Sequence, residues 1–279
     1  MRIGIGLPTT TPGATRELLI EWARRADEGP FSTLAVLDRL VYDSFDPFGA
    51  LALAAGITKH IRLATMIAIG PLRSTGMLVK EAATVHAISG GRLTLGVAVG
   101  ARLEDYEHAE VPHRGRGRRL SDQLAQIRGD WVDSPLVPGA ARDEAPELLV
   151  GGSTGAAYER MARYADGYAH NGGPPRAFAS AATRATAAWT DFGRPGRPRL
   201  WGQAYFALGD EERGTDYLRD YYAFTGPFAE KIAAGNLTTP RALRDMIRGY
   251  EEEGCDELVL FPTVADIAQL DRLMEALPS

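Results

Sequence analysis

A run of small residues, Gly151-Gly152-Ser153-Thr154-Gly155, follows an apolar stretch and precedes a helix-patterned one. Small residues allow backbone N–H groups to approach a phosphate, the start of a helix favours an anion, and the two hydroxyls add donors. The same pattern also suits a tight turn in which a serine or threonine caps the helix. The run therefore predicts either a phosphate site or a capped turn.

Three further groups of polar residues can take part in chemistry. The basic run His113–Arg119 offers guanidinium groups that suit a phosphate, although such a run is also typical of a solvated surface. Asp38 and Arg39 follow the second apolar stretch, where they can form a structural ion pair or contact a substrate. His170 follows the sixth stretch, where it is either a donor to a substrate or flavin carbonyl or a buried structural histidine.

The residues that several other chemistries need are not grouped in this sequence. The five histidines are scattered at positions 60, 86, 108, 113 and 170, so we expect no metal site. Lysines occur only at 59, 80 and 231, none of them within or at the end of an apolar stretch, as a Schiff-base enzyme would require. Neither a GxSxG motif nor a Walker loop is present. A pocket for a cofactor that brings its own chemistry remains.

Eight short apolar stretches position these groups, and helix-patterned segments separate most of them. Such alternation predicts βα units and a parallel sheet. Eight units in 279 residues fit an α/β fold of the (β/α)8 TIM-barrel type, which takes about 250 residues and has its active site at the C-terminal ends of the strands. The stretches are Ile3–Leu7, Thr33–Leu37, Ile61–Ile67, Leu93–Val99, Glu147–Val150, Gly167–Ala169, Leu200–Ala207 and Leu258–Phe261.

Composition limits the partners. A net charge of −5 argues against a nucleic-acid surface. The sequence contains no apolar run of about 20 residues, which a membrane span would need. The lone Cys255 excludes an internal disulfide, and the chain starts without the apolar core of a signal peptide. We therefore expect a cytoplasmic protein with no nucleic-acid and no membrane partner. No linker divides the chain, which predicts a single domain over residues 1–279.

An extended segment, residues 209–255, separates the last two apolar stretches and exceeds what one crossover needs. It carries five aromatic residues that something must cover: the barrel wall, a second subunit or a bound apolar substrate. Because barrels vary their chemistry through such insertions, we expect the segment to determine substrate specificity. If a second subunit covers it, the segment also forms a dimer interface. The aromatic residues are Tyr217, Tyr221, Tyr222, Phe224 and Phe228.

Several segments, in order along essentially the whole chain, resemble the bacterial luciferase-like superfamily of flavin- and deazaflavin-dependent oxidoreductases. The resemblance implies a (β/α)8 barrel with a flavin ring at its C-terminal mouth, and often a homodimer. The block from residue 80 to residue 100 is the most specific. The segments are Arg2–Leu7, Leu34–Arg39, Ile61–Thr65, Lys80–Thr84, Ser89–Leu93, Gly96–Gly100, Arg116–Leu120, Val150–Ser153 and Ala162–Tyr168.

The resemblance also implies roles for individual residues. It places a strand bulge, often with a non-proline cis peptide, at Thr65-Met66-Ile67 under the ring. It assigns the phosphate to Gly152-Ser153-Thr154-Gly155, with Arg119 as a partner. Asp38, Arg39 and His170 would face the substrate, although Arg39 stands where oxygenase members commonly carry a histidine, and an arginine cannot act as a general base.

The expected function is that of an oxidoreductase or monooxygenase which uses reduced FMN or coenzyme F-420 on a small organic substrate. FMN ends in one phosphate, whereas F-420 adds an oligoglutamate tail that extra arginines at the mouth would suit. The broader resemblance favours FMN, so both cofactors stay open. Two alternatives also remain: a non-catalytic flavin-binding accessory protein and a phosphosugar-metabolising barrel.

Overall fold

Eight parallel strands pair in chain order and close into a barrel, because the first strand also pairs with the last. The computed structural model describes residues 1–278. All eight predicted strands are present, which confirms the (β/α)8 fold. They are β1 (Arg2–Gly6), β2 (Thr33–Val36), β3 (Arg62–Ile69), β4 (Leu93–Ala98), β5 (Glu147–Gly151), β6 (Gly167–Ala169), β7 (Arg199–Phe206) and β8 (Glu257–Pro262).

Helices surround the barrel and connect successive strands. Short 3-10 turns at 70–72, 139–141 and 223–225 supplement them. Among the described residues, no helix is long and apolar enough to cross a membrane. The helices are α1 (Arg16–Glu28), α2 (Pro47–Ile57), α3 (Thr75–Ile88), α4 (Leu103–His108), α5 (Arg116–Asp130), α6 (Gly155–Tyr164), α7 (Pro175–Asp191), α8 (Glu211–Tyr221), α9 (Phe228–Ala233), α10 (Pro240–Glu252) and α11 (Ala268–Ala276).

Local capping explains where several helices begin. The side chain of Thr15 accepts a hydrogen bond from Leu18 N at the start of α1, and Thr239 does the same for Ala242 N at the start of α10. Proline occupies the first turn of α2 and of α10, where its missing N–H leaves no bond unmade. Thr15 and Thr239 are therefore the residues that fix where α1 and α10 begin.

Two stretches differ from what their composition predicts. The largely polar residues 101–116 predict a loop, but they contain α4, which is too short to show a helical period and is held by the buried Tyr106. Residues 133–145, with two prolines and little pattern, predict a surface connection, yet Val137 and Ala141 are buried, and Trp131 Nε1 donates to the Ala141 carbonyl at 2.8 Å. In both cases a single apolar anchor decides the structure, and such an anchor is not visible as a pattern.

The interior of the barrel is filled by apolar side chains from the strands, including Leu149, Trp201 and Val259. The same cluster contains Tyr217 and Tyr221 from α8. The segment after β7 therefore folds onto the C-terminal mouth and completes the packing there, so the aromatic residues of this segment belong to the wall of any site at the mouth.

Candidate functional site

A cavity of about 1290 Å³ lies at the C-terminal mouth of the barrel. Its wall contains residues at the ends of four strands, Ile69, Ala98, Gly151 and Ala169, together with residues from the loops that follow them. This is the end at which barrel enzymes carry their active sites. The volume exceeds the upper range of ordinary ligand pockets, about 1000 Å³, so the cavity has room for a cofactor with a substrate beside it.

The strand bulge expected in β3 is present and forms part of the wall. The pairing of β3 with β4 shifts register between Thr65 and Ala68, and the Met66–Ile67 peptide is cis. Met66 and Ile67 line the cavity. Thr65 lies behind them, fully buried, and its hydroxyl donates to the Gly96 carbonyl at 2.7 Å. Thr65 thus supports the bulge and is not among the residues that line the cavity.

The glycine-rich turn between β5 and α6 forms another part of the wall. Gly151, Gly152, Ser153 and Thr154 line the cavity, whereas Gly155 begins α6 without lining it. Gly152 has φ of 127°, a conformation that favours glycine. Thr154 occupies the N-cap position, but its side chain makes no cap hydrogen bond. The hydroxyls of this turn are therefore available to a ligand at the start of α6, which the capped-turn interpretation did not predict.

Two guanidinium groups flank the turn, and Arg119 is not one of them. Arg116 and Arg160 line the cavity, whereas Arg119 does not and instead donates to the Pro112 carbonyl at 3.1 Å. Arg160 is held by a hydrogen bond from Nη2 to the Gly117 carbonyl at 3.0 Å. The expectation that Arg119 partners the turn is corrected by this placement: α5 directs Arg119 away from the turn and directs Arg116 toward the cavity.

Asp38 and Arg39 border the cavity but do not pair with each other. Asp38 Oδ2 accepts from Arg73 Nη1 and from the Ile69 amide, both at 2.7 Å. Arg39 donates to Val41 O at 3.0 Å and to a Glu104 carboxylate oxygen at 3.1 Å, among other contacts.

These contacts give both residues structural partners. The ion pair of Asp38 is formed with a residue that follows β3, and Arg39 lies 4.4 Å from the ring centroid of Tyr42. Asp38 and Arg39 were expected to face a substrate across the cofactor ring, and a substrate would have to compete with these contacts for both side chains. The reason is tertiary, since residues after β3 and β4 reach the same corner of the mouth and satisfy both charges.

His170 differs from these residues because its ring has no partner. Its side chain lines the cavity and is 6% exposed, yet neither Nδ1 nor Nε2 forms a hydrogen bond of normal geometry with the described residues, and the Gly172 backbone makes only a weak polar contact with the ring. Phe178 packs against the ring edge-on, with centroids 5.7 Å apart. Burial lowers the pKa of His170 to about 4, so the imidazole is neutral at physiological pH. A buried polar ring without partners is costly, and a ligand that bonds to it would remove this cost.

The fit of the site to a flavin-type cofactor can be judged from these groups. Such a cofactor has a flat ring with a polar edge and a phosphate at the end of a side chain. The wall offers the apolar Met66 and Ile67, the unpartnered His170, and a glycine turn flanked by guanidiniums. The donor set therefore fits a group with one flat, partly polar end and one anionic end.

Three residues of the wall were not predicted from the sequence. Gln203 and Tyr205 lie within β7, and Arg160 lies on α6. A polar Gln203 inside an otherwise apolar strand was a usable signal, because inward-facing polar residues of a barrel strand point to a site. Arg160 gave no such signal, since a helical arginine is ordinarily exposed.

Of the three possible covers for the aromatic segment, the barrel covers part of it. Tyr217 and Tyr221 are buried against the mouth, while Phe224 and Phe228 are 45% and 56% exposed. Tyr221, Tyr222, Phe224 and Phe228 also line the cavity. Tyr221, Tyr222, Phe224 and Phe228 thus form one side of the site, and we call these four residues the aromatic wall.

Comparison with known proteins gives one family and several similar chains. An uncharacterised protein of Mycobacterium tuberculosis is 31% identical over 142 residues, which are 47% of this chain and 49% of that protein. The match thus spans about half the length of this curated relative.

Two solved structures share the fold at low sequence identity. An F-420-dependent secondary alcohol dehydrogenase in complex with an F-420-acetone adduct has a TM-score of 0.82 at 15% identity, covering 99% of this chain and 98% of that one. The FMN-bound oxygenating constituent of 3,6-diketocamphane monooxygenase from Pseudomonas putida has a TM-score of 0.76 at 16% identity, covering 99% and 96%. A model of the luciferase-like monooxygenase family matches residues 1–254, and the protein therefore belongs to that family.

Proposed function

We propose that this protein is an oxidoreductase that binds a flavin-type cofactor at the barrel mouth and acts on a small organic substrate there. The observation that carries the proposal is the buried His170 ring, which borders the cavity with neither nitrogen partnered. Family membership supports the same conclusion, because the similar structures are oxidoreductases that use F-420 or FMN.

The residues that would hold the cofactor come from two sides of the cavity. Ser153, Thr154 and the amides at the start of α6 would bind the phosphate, with Arg116 and Arg160 beside them. The bulge of β3 would support the ring. His170 would form a hydrogen bond to the polar edge of the ring or to the substrate. When bound and reduced, the cofactor supplies the hydride or electrons that no side chain of this chain can provide.

The charge of the cavity favours a polyanionic cofactor. Arg116, Arg160, Arg176 and Lys231 line it, and none of these four has a carboxylate within 4.0 Å in the part of the chain that the structure describes. One phosphate would leave most of this positive charge unbalanced, whereas a phosphate with an oligoglutamate tail would balance more of it. On this ground we propose F-420, with FMN as the second candidate because a similar structure is bound to FMN.

The experiment is a titration of the purified protein with FMN and with F-420, in both oxidation states, over a series of salt concentrations. We expect F-420 to bind more tightly at low salt and to lose more affinity as salt increases, because the additional charges are screened. Equal salt dependence would remove the charge argument. Failure to bind either cofactor at high micromolar concentration would contradict the proposed function and favour the phosphosugar alternative.

Binding alone does not distinguish an enzyme from an accessory protein. The reduced complex is therefore mixed with aldehydes, ketones and alcohols, with and without oxygen, and cofactor oxidation and product are followed together. Turnover above the rate of free reduced cofactor supports an enzyme. Tight binding without turnover on any substrate of such a panel would favour the accessory alternative.

A further inference from the structure

Three side chains of β7 and the aromatic wall form a chain of hydrogen bonds at the cavity. Gln203 Nε2 lies 3.4 Å from the Tyr205 hydroxyl, and that hydroxyl lies 2.5 Å from the Tyr222 hydroxyl. All three residues line the cavity, and Gln203 and Tyr205 are buried. The chain therefore runs from the end of a barrel strand to the segment that follows β7.

Either hydroxyl of the tyrosine pair could donate, and burial favours one direction. Tyr205 is buried and already accepts from Gln203 Nε2, whereas Tyr222 is only partly buried, so the arrangement that leaves no buried proton unpaired has Tyr205 donating to Tyr222. The proton of Tyr222 is then left without an acceptor among the described residues. Burial raises the pKa of Tyr222 to about 12, which keeps this hydroxyl protonated at neutral pH. Tyr222 thus presents a hydrogen-bond donor at the cavity.

Two buried arginines fix the position of this donor. The backbone carbonyl of Tyr221 accepts from Arg39 Nη1 at 3.3 Å and also from Arg102 Nη2. Arg102 lies 4.1 Å from the ring centroid of Phe224, on the other side of Tyr222 in sequence. The residues before and after Tyr222 are therefore both held by charged groups from the β2 and β4 loops. This explains why Arg39 stands next to the site without having to touch a substrate.

Aromatic and aliphatic side chains accompany Tyr222 in the cavity wall. The Phe224 ring stacks near that of Tyr222, with centroids 6.2 Å apart and an interplanar angle of 30°. Phe228, Ile232 and Met246 are further apolar residues of the segment after β7 that line the cavity. A flat apolar molecule would pack against these side chains, and its one acceptor oxygen would satisfy the unused donor.

We infer that Tyr222 determines substrate specificity by donating a hydrogen bond to a carbonyl oxygen of a neutral, apolar and preferably aromatic substrate. The inference rests on the proposed function, because it places this substrate beside the cofactor. Tyr222 would have a binding role only, because no covalent bond of the substrate oxygen or of the Tyr222 hydroxyl is formed or broken. Within the aromatic wall, Tyr222 recognises the carbonyl oxygen of the substrate, whereas Phe224 and Phe228 provide apolar contact area.

The test compares two probes by ligand-observed NMR titration, acetophenone and ethylbenzene, which differ in having a carbonyl or a methylene group beside the ring. The variant is Tyr222→Phe. The matched control is Tyr217→Phe, which removes a hydroxyl from the same segment. The Tyr217 hydroxyl lies 2.7 Å from Thr10 Oγ1, and Tyr217 does not line the cavity. FMN and F-420 affinities are measured for each protein in parallel.

We expect the natural protein to prefer acetophenone, and Tyr222→Phe to reduce its acetophenone affinity about three- to tenfold with ethylbenzene unchanged. Tyr217→Phe should retain the preference. Equal affinities of the two probes in the natural protein, or an equal loss in both variants, would overturn the inference. If neither cofactor binds while the probe preference still depends on Tyr222, the assignment of Tyr222 stands and the proposed cofactor is wrong.

Discussion

The placement of two arginines on one helix leads to the sharpest prediction. Arg116 and Arg119 lie on α5, but only Arg116 lines the cavity. The Nη1 atom of Arg116 lies 3.3 Å from His113 Nδ1, a long contact, and its Nε atom is buried without a partner. A phosphate at the glycine turn would therefore find in Arg116 a guanidinium with a free donor at the cavity, whereas Arg119, which also has an unpartnered Nη1, does not line the cavity.

The magnitude follows from the type of bond that is lost. A hydrogen bond to a charged group contributes about 1.5–3 kcal/mol, which corresponds to about 10- to 150-fold in the dissociation constant. Arg160 also lines the cavity and would still oppose the charge of the phosphate. We therefore expect the lower end of this range, about tenfold, for Arg116→Ala, and less than about twofold for Arg119→Ala.

The assay is a titration with FMN and F-420, with the melting temperature of each variant as the control for folding. The affinity lost in Arg116→Ala should shrink as salt increases, because a partly exposed charge is screened. An affinity loss in Arg119→Ala as large as that in Arg116→Ala would refute this account of the phosphate site. So would an Arg116→Ala variant that melts early but binds both cofactors normally.

Three further predictions concern stability, and urea unfolding tests each of them. The pKa of His170 is about 4 in the folded protein and 6.5 ordinarily, so the unfolded state binds more protons at pH values between the two. The free energy of unfolding should therefore fall by about 3 kcal/mol as the pH drops from 7 to 4, and His170→Gln should abolish this part of the pH dependence. Asp38→Ala removes a buried partner of an arginine and should destabilise by about 3 kcal/mol, whereas Asp43→Ala, at an exposed position nearby, should have an effect below about 1 kcal/mol; equal effects would contradict the structural role of Asp38. In Gly96→Ala the added Cβ would lie 2.3 Å from a backbone oxygen of β3 and should destabilise by about 1–3 kcal/mol, while Gly56→Ala, which meets no atom within 4 Å, should be neutral or stabilising.

Much of the fold could be predicted because its signals are local. The apolar stretches alternate with amphipathic helices along the chain, and capping residues such as Thr15 and Thr239 lie next to the helices they start. The glycine turn after β5 also carries its information in five consecutive residues. By contrast, α4 and the buried Val137 could not be predicted, since each depends on one apolar side chain that finds its place only in the folded protein.

By itself, the sequence determined the barrel, the end of the barrel that carries the site, and the presence there of Asp38, Arg39, His170 and the glycine turn. Only the tertiary structure decided what these residues do. The carboxylate of Asp38 is neutralised by Arg73, whereas the ring of His170 is left without a partner. Strand and helix signals arise from neighbouring residues, but the partner of a buried charge comes from a distant loop. The availability of a side chain for chemistry is therefore a property of the packed mouth, which no local pattern encodes.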